Sequence, residues 1–512
     1  MSARPALGAL GALTQAGVIR PLSPRVLRRV IAARRHLGES SAALAAMSAA
    51  RWPHRVAIID DDGAITYAQL HRRVAAVASA LEGAGSIAVM GRNHRGVVEA
   101  ALAAGRLGAD LLLLNTDFAG PQLADVLARE RPDVLVIDRE FLPALGDAAP
   151  ARVVTDEELE ALARAPLTGP PPRPARLSRL TILTSGTTGR PKGAQRTVGV
   201  SAMLGVVASV VHRLGLRSGE PMYVAVPQFH GYGFALSILA ILLGSPLVLR
   251  RRFDPEDTAA LVREHRVAFL ALVPVMLKRL LDLPPRRLDR THLRAVLSGA
   301  APLDPALARR ALEAWGPVLC NGYGSSEAGI ATIATPADLF ADPASVGRPV
   351  LGTRVRVTDD GRVFVGGGMV FTGYTGGDDA GRSDERLDGL VATGDIGHVN
   401  DAGCLVIDGR ADDMIVSGGE NVYPQEVEDV LHEHPEIDDV AVLAVADDEF
   451  GERLACWVVR AGATALDDDA VRAFVRERLA RYKVPRDVTF VDEIPRSATG
   501  KVARRALRGG GA

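Results

Sequence analysis

A chain of 512 residues is long enough for about three domain-sized units, and its 60 basic residues against 61 acidic ones give no basis for bulk nucleic-acid binding. Its three cysteines are isolated, which excludes a disulfide framework and suits a reducing cytosol. No apolar run reaches the roughly 18 residues of a membrane span and the N-terminus lacks an uninterrupted signal-peptide core, so a cytoplasmic protein is predicted.

The first predicted element is a basic helix within residues 1–42. Ser23-Pro24 marks a helix start, after which apolar residues alternate at helical spacing with arginines: Val26, Leu27, Val30 and Ile31 against Arg28, Arg29, Arg34 and Arg35. Such a helix can lie on an anionic membrane, or it can pack on its own protein with its arginines in solvent. Peripheral membrane contact through residues 1–40 is therefore one hypothesis.

Residues 87–137 alternate between apolar strands and amphipathic helices. Strands are predicted at 87–90, 111–114 and 134–137, with helices at 97–107 and 122–129. Continuous apolar strands separated by helices are typical of a parallel sheet covered on both faces. The predicted fold class is therefore α/β.

A phosphate-binding loop is predicted directly after the apolar run at 180–183. Residues 184–193 read Thr-Ser-Gly-Thr-Thr-Gly-Arg-Pro-Lys-Gly, in which glycines let backbone N–H groups converge on an anion and hydroxyls add donors. The expected phosphate contacts are Thr184, Ser185, Gly186, Thr187, Thr188, Gly189 and Lys192. The loop is not a Walker A motif, because no Ser or Thr follows Lys192. A flexible linker is the alternative, but linkers rarely follow a buried strand.

Lysine is rare in this chain, with four among the 60 basic residues: Lys192, Lys278, Lys483 and Lys501. A lysine retained against a strong preference for arginine is a candidate for a role that needs a compact ammonium group. Lys192 lies in the predicted loop, and Lys501 ends a second Gly-Lys element, Pro-Arg-Ser-Ala-Thr-Gly-Lys at 495–501. Chance retention is the alternative.

Six motifs together resemble the adenylate-forming acyl-CoA synthetase superfamily, the AMP-binding enzymes, in order and approximate spacing. They are the loop at 184–193, Tyr-Gly-Ser-Ser-Glu at 323–327, Thr-Gly-Asp at 393–395, Gly-Arg-Ala-Asp-Asp at 409–413, Ser-Gly-Gly-Glu-Asn at 417–421 and the element ending at Lys501. Within the superfamily, the stretches 371–377 and 417–428 look most like actinobacterial-type fatty acyl-CoA ligases.

The resemblance implies a large N-terminal α/β domain of several subdomains with parallel sheets, followed by a small mobile α/β lid. The implied boundaries are an extension over 1–42, an AMP-binding domain over 43–408, a hinge over 409–413 that contains Asp412, and a lid over 414–512. Predicted lid elements are helices at 424–434 and 470–481 and strands at 440–445, 454–459 and 488–491. Rotation of the lid would let one domain serve two reactions in turn.

The resemblance also assigns the nucleotide site. Small residues and one aromatic ring would form the adenine slot and its surroundings: Gly299, Ala300, Ala301, Asn321, Gly322, Tyr323, Gly324, Ser325 and Ser326. Asp395 and Arg410 would contact the ribose, with Ile407 beside them. Glu327 would be the Mg²⁺ ligand, because this hard cation prefers carboxylate and phosphate oxygens. Ser326 stands where the family more usually has Thr, and either residue offers a hydroxyl.

The remaining assignments concern the acid and CoA. His230 would lie between nucleotide and acyl pocket and act in catalysis with Lys501 and Glu327, although a packed core histidine is the alternative. Tyr232 and Gly329 would shape the acyl pocket. The pantetheine arm of CoA would pass a stretch with little side-chain bulk: Ser417, Gly418 and Gly419.

The implied activity is ATP- and Mg²⁺-dependent ligation of a small carboxylic acid to CoA through an acyl-adenylate, with a medium- or long-chain fatty acid as the leading substrate. Two alternatives stay open: an aryl or cinnamyl acid as substrate, and a carrier protein or unusual acceptor of secondary metabolism in place of CoA. A nucleotide-binding regulator without catalysis is disfavoured because Glu327, Asp395, Arg410 and Lys501 are all present.

Overall fold

The computed structural model describes residues 10–118, 120–146, 149–184, 192–197, 203–284, 288, 290–325, 329–367, 373–375, 385–411, 415–417, 420–447, 451–479 and 483–509. The strands, in chain order, are β1 Val56–Asp60, β2 Gly63–Thr66, β3 Ser86–Met90, β4 Asp110–Leu113, β5 Val134–Ile137, β6 Arg152–Thr155, β7 Leu180–Thr184, β8 Lys192–Arg196, β9 Met222–Val224, β10 Leu247–Val248, β11 Phe269–Leu272, β12 Ala295–Gly299, β13 Leu319–Ser325, β14 Gly329–Ala334, β15 Ser345–Pro349, β16 Thr353–Val357, β17 Arg362–Gly367, β18 Gly373–Thr375, β19 Arg386–Leu387, β20 Leu390–Val399, β21 Leu405–Arg410, β22 Ile415–Ser417, β23 Glu420–Val422, β24 Ile437–Asp447, β25 Gly451–Arg460 and β26 Asp487–Phe490.

The helices lie mostly between parallel strands. They are Pro24–Leu37, Ser41–Arg51, Tyr67–Ala80, Arg95–Leu107, Gly120–Glu130, Leu142–Leu145, Asp156–Arg164, Leu204–Arg213, Gly231–Leu243, Pro255–Glu264, Pro274–Leu281, Pro305–Trp315, Pro336–Ala341, Pro424–His432, Asp468–Arg476 and Arg504–Gly509, with a 3₁₀ turn at Arg139–Phe141. None of the helices within the described residues is long and apolar enough to cross a membrane.

Two large sheets form the N-terminal part of the chain. The first has 14 strands in the order β16-β17-β20-β21-β15-β14-β13-β12-β11-β9-β10-β1-β2, with β19 paired to β20. The second has seven, in the order β18-β8-β7-β4-β3-β5-β6. In the first sheet the run from β13 to β1 is parallel, and in the second the run from β7 to β6 is parallel. The predicted α/β class with parallel sheets is confirmed, and an antiparallel extension from β14 to β16 was not predicted.

The helix Gly231–Leu243 lies in the largest core cluster. Its residues Leu236, Leu239 and Ile241 are buried there with strand residues such as Val224 and Leu297. A helix surrounded by protein can be apolar on nearly all sides, as this one is. The predicted buried helix is therefore confirmed, and its N-terminus is held in one orientation by packing.

The C-terminal part is a smaller α/β unit. Its strands β24, β25 and β26 form a three-stranded sheet, and β22 and β23 form a hairpin. The helix Pro424–His432 buries Val427 and Leu431 in the same core cluster as Val440 of β24. This unit carries the turn that ends at Lys501, so its placement against the N-terminal part decides where Lys501 lies.

Candidate active site

A cavity of about 2160 Å³ lies between the large sheets and the C-terminal unit. Predicted site residues that line it are His230, Tyr232, Ala300, Ala301, Asn321, Gly322, Tyr323, Gly324, Ser325, Gly329, Asp395, Ile407, Arg410 and Lys501. Residues separated by more than 250 positions along the chain thus meet at one surface. The structure brings together the assignments for nucleotide, acid and catalytic lysine.

The adenine-slot segments meet through the register of two parallel strands. In β12 and β13, Ser298 pairs with Asn321 and Gly299 pairs with Gly322. The carboxyl ends of parallel strands lie at the same sheet edge, where ligands commonly bind. Ala300, just beyond β12, has a φ of 67°, which is rare for a residue with a Cβ and costs energy. The surrounding structure therefore stabilises a backbone conformation that is intrinsically unfavourable for this small-residue loop.

Asp395 and Arg410 face each other because β20 and β21 pair them directly. Nη1 of Arg410 lies 3.1 Å from Oδ1 of Asp395, and Oη of Tyr323 donates to Oδ2 over 2.5 Å. The backbone N–H of Asp395 donates to Oγ1 of Thr393 over 3.1 Å. Burial raises the pKa of Asp395 above its ordinary value, while Arg410 and Tyr323 oppose that rise. A carboxylate held in this way can accept hydrogen bonds from the two hydroxyls of a ribose.

Tyr323 is itself fixed by its partner. Burial, followed by the charge of Asp395, raises the pKa of Tyr323 well above its ordinary value, so the phenol stays protonated and acts as a donor. Tyr323 packs, partly buried, against a hydrophobic cluster that contains Ala331 and Val363. Thr393 was not among the sequence-predicted residues; the Thr-Gly-Asp motif contained it, but nothing in the sequence said that its hydroxyl would accept from the Asp395 backbone.

His230 caps the buried helix Gly231–Leu243. Its Nδ1 accepts from the backbone N–H of Tyr232 over 3.3 Å. Burial, and then the charge of Lys501, lowers the pKa of His230 to about 4, so the ring is neutral near pH 7. A neutral imidazole next to a lysine ammonium can orient a carboxylate without adding a second positive charge.

Tyr232 lies beneath the adenine-slot loop. Its Oη donates to the carbonyl of Leu297 over 2.7 Å, and burial raises the pKa of the phenol well above its ordinary value. A Cβ placed on Gly299 would lie 3.4 Å from Cζ of Tyr232 and 3.1 Å from the carbonyl oxygen of Gly322. The Tyr232 ring therefore lies against the backbone of Gly299, and Tyr232 lines the cavity.

Lys501 is carried by a tight turn that touches the N-terminal part. The backbone N–H of Ser497 donates to the carbonyl of Lys501 over 2.8 Å. The N–H of Ala498 donates to Oδ2 of Asp117 over 3.0 Å, across the boundary between the two parts of the chain. Gly500 has a φ of 79°, and a Cβ there would lie 3.1 Å from Cγ2 of Val273. Only glycine fits this turn easily, which explains the Gly-Lys pair.

Several assignments lie outside the described residues: Ser185, Gly186, Thr187, Thr188, Gly189, Ser326, Glu327, Asp412, Gly418 and Gly419. Thr184 and Lys192 end β7 and begin β8, where their backbones pair across the mouth of the predicted phosphate loop. Ser417 ends β22. Within the described residues, no group of three or more His, Cys, Asp or Glu side chains is arranged to hold a metal ion.

Comparison with known proteins places this geometry in one family. The family model for AMP-binding enzymes matches residues 45–375, and the model for the AMP-binding enzyme C-terminal domain matches residues 426–501. A feruloyl-CoA synthase from an Amycolatopsis species is 34% identical over 478 residues, covering 89% of this chain and 96% of the relative.

Solved structures agree with these matches. The amide bond synthetase McbA from Marinactinospora thermotolerans superposes with a TM-score of 0.80 at 27% identity, covering 94% of this chain and 99% of that one. The o-succinylbenzoate CoA synthetase from Bacillus subtilis, in complex with its acyl-adenylate intermediate, superposes with a TM-score of 0.80 at 26% identity, covering 91% and 98%. Similarity thus extends over nearly the whole of each protein.

Proposed function

The chain belongs to the AMP-binding enzyme family, and we propose that it joins a carboxylic acid to CoA in two steps. It is an AMP-forming acid–thiol ligase that uses ATP, Mg²⁺ and CoA. In the first step a carboxylate oxygen attacks the α-phosphorus of ATP, giving an acyl-adenylate and releasing pyrophosphate. In the second step the CoA sulfur attacks the acyl carbon, the thiol proton is lost, and AMP leaves.

One observation carries the proposal: Lys501, His230 and the Asp395–Arg410 pair face the same cavity. The paired carboxylate suits a ribose, and the small-residue loops beside it suit adenine. The lysine charge is close enough to His230 to contribute to its lowered pKa. In this arrangement the ammonium stabilises negative charge that develops between the acid and the α-phosphate.

Mg²⁺ would act on the phosphates when ATP is bound. This ion keeps several waters and commonly takes one or two carboxylates plus phosphate oxygens, so it does not need a cage of three protein ligands. The described residues contain no such cage. We retain Glu327 as the proposed carboxylate ligand, and the loop at 184–193 as the proposed holder of the β and γ phosphates.

For the acid, we propose a medium- or long-chain fatty acid. Apolar side chains from the helices Ser41–Arg51, Arg95–Leu107 and Gly231–Leu243 and from strand β7 line the same cavity as His230: Leu44, Ala101, Leu180, Ile182, Phe234 and Ile238. Burial of a CH₂ group contributes about 0.8 kcal/mol, so this apolar lining favours an alkyl chain over a short polar acid.

A ring-bearing acid is the second candidate, because feruloyl-CoA and o-succinylbenzoate-CoA synthetases are among the similar proteins. The flat face of Tyr232 would suit such a ring. An acceptor other than CoA also stays a candidate, since an amide bond synthetase has the same fold over nearly its whole length. A carrier protein is the other alternative acceptor.

The deciding experiment is pyrophosphate exchange over a panel of fatty, aryl and cinnamyl acids, followed by AMP release with and without CoA. Exchange with fatty acids that rises with chain length, and AMP release that needs CoA, is the expected result. Exchange with ring-bearing acids alone would identify a ring-bearing acid as the substrate instead of a fatty acid. Exchange without CoA-dependent turnover would point to an amine or carrier-protein acceptor.

The N-terminal helix Pro24–Leu37 supports a separate proposal, peripheral contact with an anionic membrane. One face packs on the helix Ser41–Arg51 through Ala33 and Leu37. Another face exposes 45% of Leu27 and 41% of Ile31, one helical turn apart. The helix also exposes Arg25, Arg28, Arg29 and Arg35, of which Arg28 and Arg35 lie on the side next to Ile31. Exposed apolar side chains on an arginine-rich helix complement an anionic lipid surface.

Co-sedimentation with vesicles tests this contact. The double variant Leu27→Ser with Ile31→Ser should sediment less with phosphatidylserine vesicles than the wild type, and salt should weaken wild-type binding because exposed charges are screened within about 8 Å. Val399→Ser is the matched control, since Val399 is 57% exposed on another element. If the wild-type protein does not sediment with the vesicles, the membrane contact is refuted and the helix only packs on its own protein.

A further inference from the structure

A partly buried ion cluster joins the two parts of the chain beside the cavity. Asp304 caps the helix Pro305–Trp315, and its Oδ1 accepts from the backbone N–H of Leu307 over 2.8 Å. Its other oxygen, Oδ2, lies 3.0 Å from Nδ1 of His432, the last residue of the helix Pro424–His432. Nε2 of His432 lies 3.5 Å from Oδ1 of Asp439 at the start of β24. The three side chains are only 14 to 20% exposed.

From Asp439 the contacts continue to the turn that carries Lys501. Nη2 of Arg496 donates to both carboxylate oxygens of Asp439, over 2.8 and 3.0 Å. Nη1 of Arg496 donates to the carbonyl of Gly500 over 3.2 Å. Because Gly500 directly precedes Lys501, the guanidinium fixes the backbone on which the catalytic ammonium stands.

We propose that His432 and Arg496 are positioning residues, which hold the Lys501 turn against the N-terminal part for adenylation. His432 pairs with Asp304 across the boundary. Asp439 connects His432 to Arg496, and Arg496 contacts the turn. The inference rests on the proposed function, because it takes adenylation as the step that needs Lys501 in the cavity. The cluster must separate when the C-terminal unit turns for the second step, which makes it a contact of one half-reaction only.

The charges in the cluster make this hold depend on pH. Although burial alone would lower it, Asp304 and Asp439 raise the pKa of His432 to about 10. Separation removes Asp304, so the docked state favours the protonated ring. Asp439 belongs to the same unit and stays beside the ring after separation, so the docking contribution is full below the pKa of His432 in the separated state and is lost as pH rises through the docked pKa of about 10.

Other charged groups around His432 act on the same equilibrium. Glu428 and Asp429 lie on its own helix; burial raises the pKa of both, that of Asp429 to about 7. Their ionisation as pH rises adds negative charge near the imidazolium and partly opposes its loss. The arginines Arg496 and Arg504 act on Glu428 with the opposite sign.

The test measures the two half-reactions in variants on each side of the boundary. His432→Gln and Asp304→Asn should each slow pyrophosphate release by at least about tenfold, as expected when one partner of a largely buried charge pair is removed. Asn remains a good helix cap, so Asp304→Asn keeps the fold of its helix. The double variant should be no slower than the single variants, because both remove one interaction. Thioester formation from synthetic acyl-AMP should be unchanged.

Arg309→Gln is the matched control. Arg309 pairs with Glu433 over 3.1 Å across the same boundary, but the two side chains are 46 and 49% exposed. A surface pair contributes little, so adenylation should change less than about twofold. A control that matches the His432 variant, fully multiplicative effects in the double variant, or equal loss of both half-reactions would overturn the positioning role.

A second readout needs no acid and so separates this inference from the proposed function. Dyes on Glu313→Cys in the N-terminal part and Glu477→Cys in the C-terminal unit, both exposed positions, report the separation of the two parts by energy transfer. The separation should grow between pH 6.5 and pH 10, and His432→Gln should remove most of that change. A separation that ignores both pH and the substitution would overturn the inference, even in an enzyme that adenylates. A pH-sensitive separation in a protein that adenylates no acid would instead defeat the proposed function alone.

Discussion

Tyr323 donates a hydrogen bond to Asp395 over 2.5 Å, although the two residues lie on strands β13 and β20, which are not neighbours in the sheet. The phenol thereby satisfies one oxygen of a carboxylate that is only 7% exposed, while Arg410 faces the other. The residue expected beside adenine and the residue expected at the ribose therefore form one unit. A substitution of either residue should therefore weaken binding of the whole nucleotide.

Tyr323→Phe should weaken ATP binding by about three- to tenfold, because the loss of one hydrogen bond to a buried charged group costs roughly 1 kcal/mol or more. The ring and its packing remain. Equilibrium dialysis with a non-hydrolysable ATP analogue measures the effect. An unchanged affinity would remove Asp395 from the nucleotide site.

Gly299→Ala should lower adenylation activity, since the added methyl group would press on Gly322 at 3.1 Å and on the Tyr232 ring at 3.4 Å. We expect a drop of about tenfold or less, because small shifts relieve such contacts. Gly169→Ala is the matched control, as a Cβ there meets nothing within 4 Å. Equal activity of the two variants would show that Gly299 does not shape the site.

His230→Asn tests the neutral, buried state of this histidine. The pKa of His230 is lowered to about 4 in the folded protein, so its contribution to stability is present above about pH 6.5 and is lost as pH falls through about 4. Asn keeps a cap for the helix but does not titrate. Between pH 7 and pH 4.5 the wild type should therefore lose about 1 to 3 kcal/mol more unfolding free energy than the variant. Urea denaturation at both pH values decides this, and parallel losses would contradict burial of the ring.

The sequence predicted the elements whose pattern is local. The strands predicted at 87–90 and 134–137 and the helix start at Pro24 follow from apolar runs and a Ser-Pro signal, and the structure confirms them, with the first strand beginning one residue earlier at Ser86. The helix predicted to run to Arg481 instead ends at Arg476, and Leu479 beyond it packs partly buried against the C-terminal core. The apolar periodicity of the sequence extends past the end of the helix, because Leu479 packs against the same core from a segment that is not helical.

Contacts between distant segments were not predictable in this way. No sequence signal joins Asp304 to His432, or Arg496 to Asp439, since each pair depends on how two separately folded parts meet. Asp304 could be read only as a helix cap before Pro305. The hydroxyl of Thr393 was likewise invisible as a partner of the Asp395 backbone, because that contact depends on local strand geometry. Family resemblance supplied the roles of Asp395 and Lys501, which spacing alone could not.

Gly419→Leu tests the proposed passage for CoA. The side chain should block the pantetheine arm, so thioester formation should fall by more than about tenfold while acyl-adenylate formation persists, since only an acceptor-side contact is lost. Pyrophosphate release and CoA consumption are measured separately. Equal loss of both steps in a folded protein would refute the channel assignment.

Lys501 carries the central claim, and its two half-reactions can be measured apart. Lys501→Ala should slow adenylation by about 100-fold or more, as for a preorganised charge at the reacting centre, and Lys501→Arg should fail substantially because a planar guanidinium cannot occupy the same point between two oxygens. The direct measurement is pyrophosphate release by these variants, beside CoA consumption from synthetic acyl-AMP. The account predicts a severe loss of the first and survival of the second. Near-normal pyrophosphate release by Lys501→Arg would contradict it.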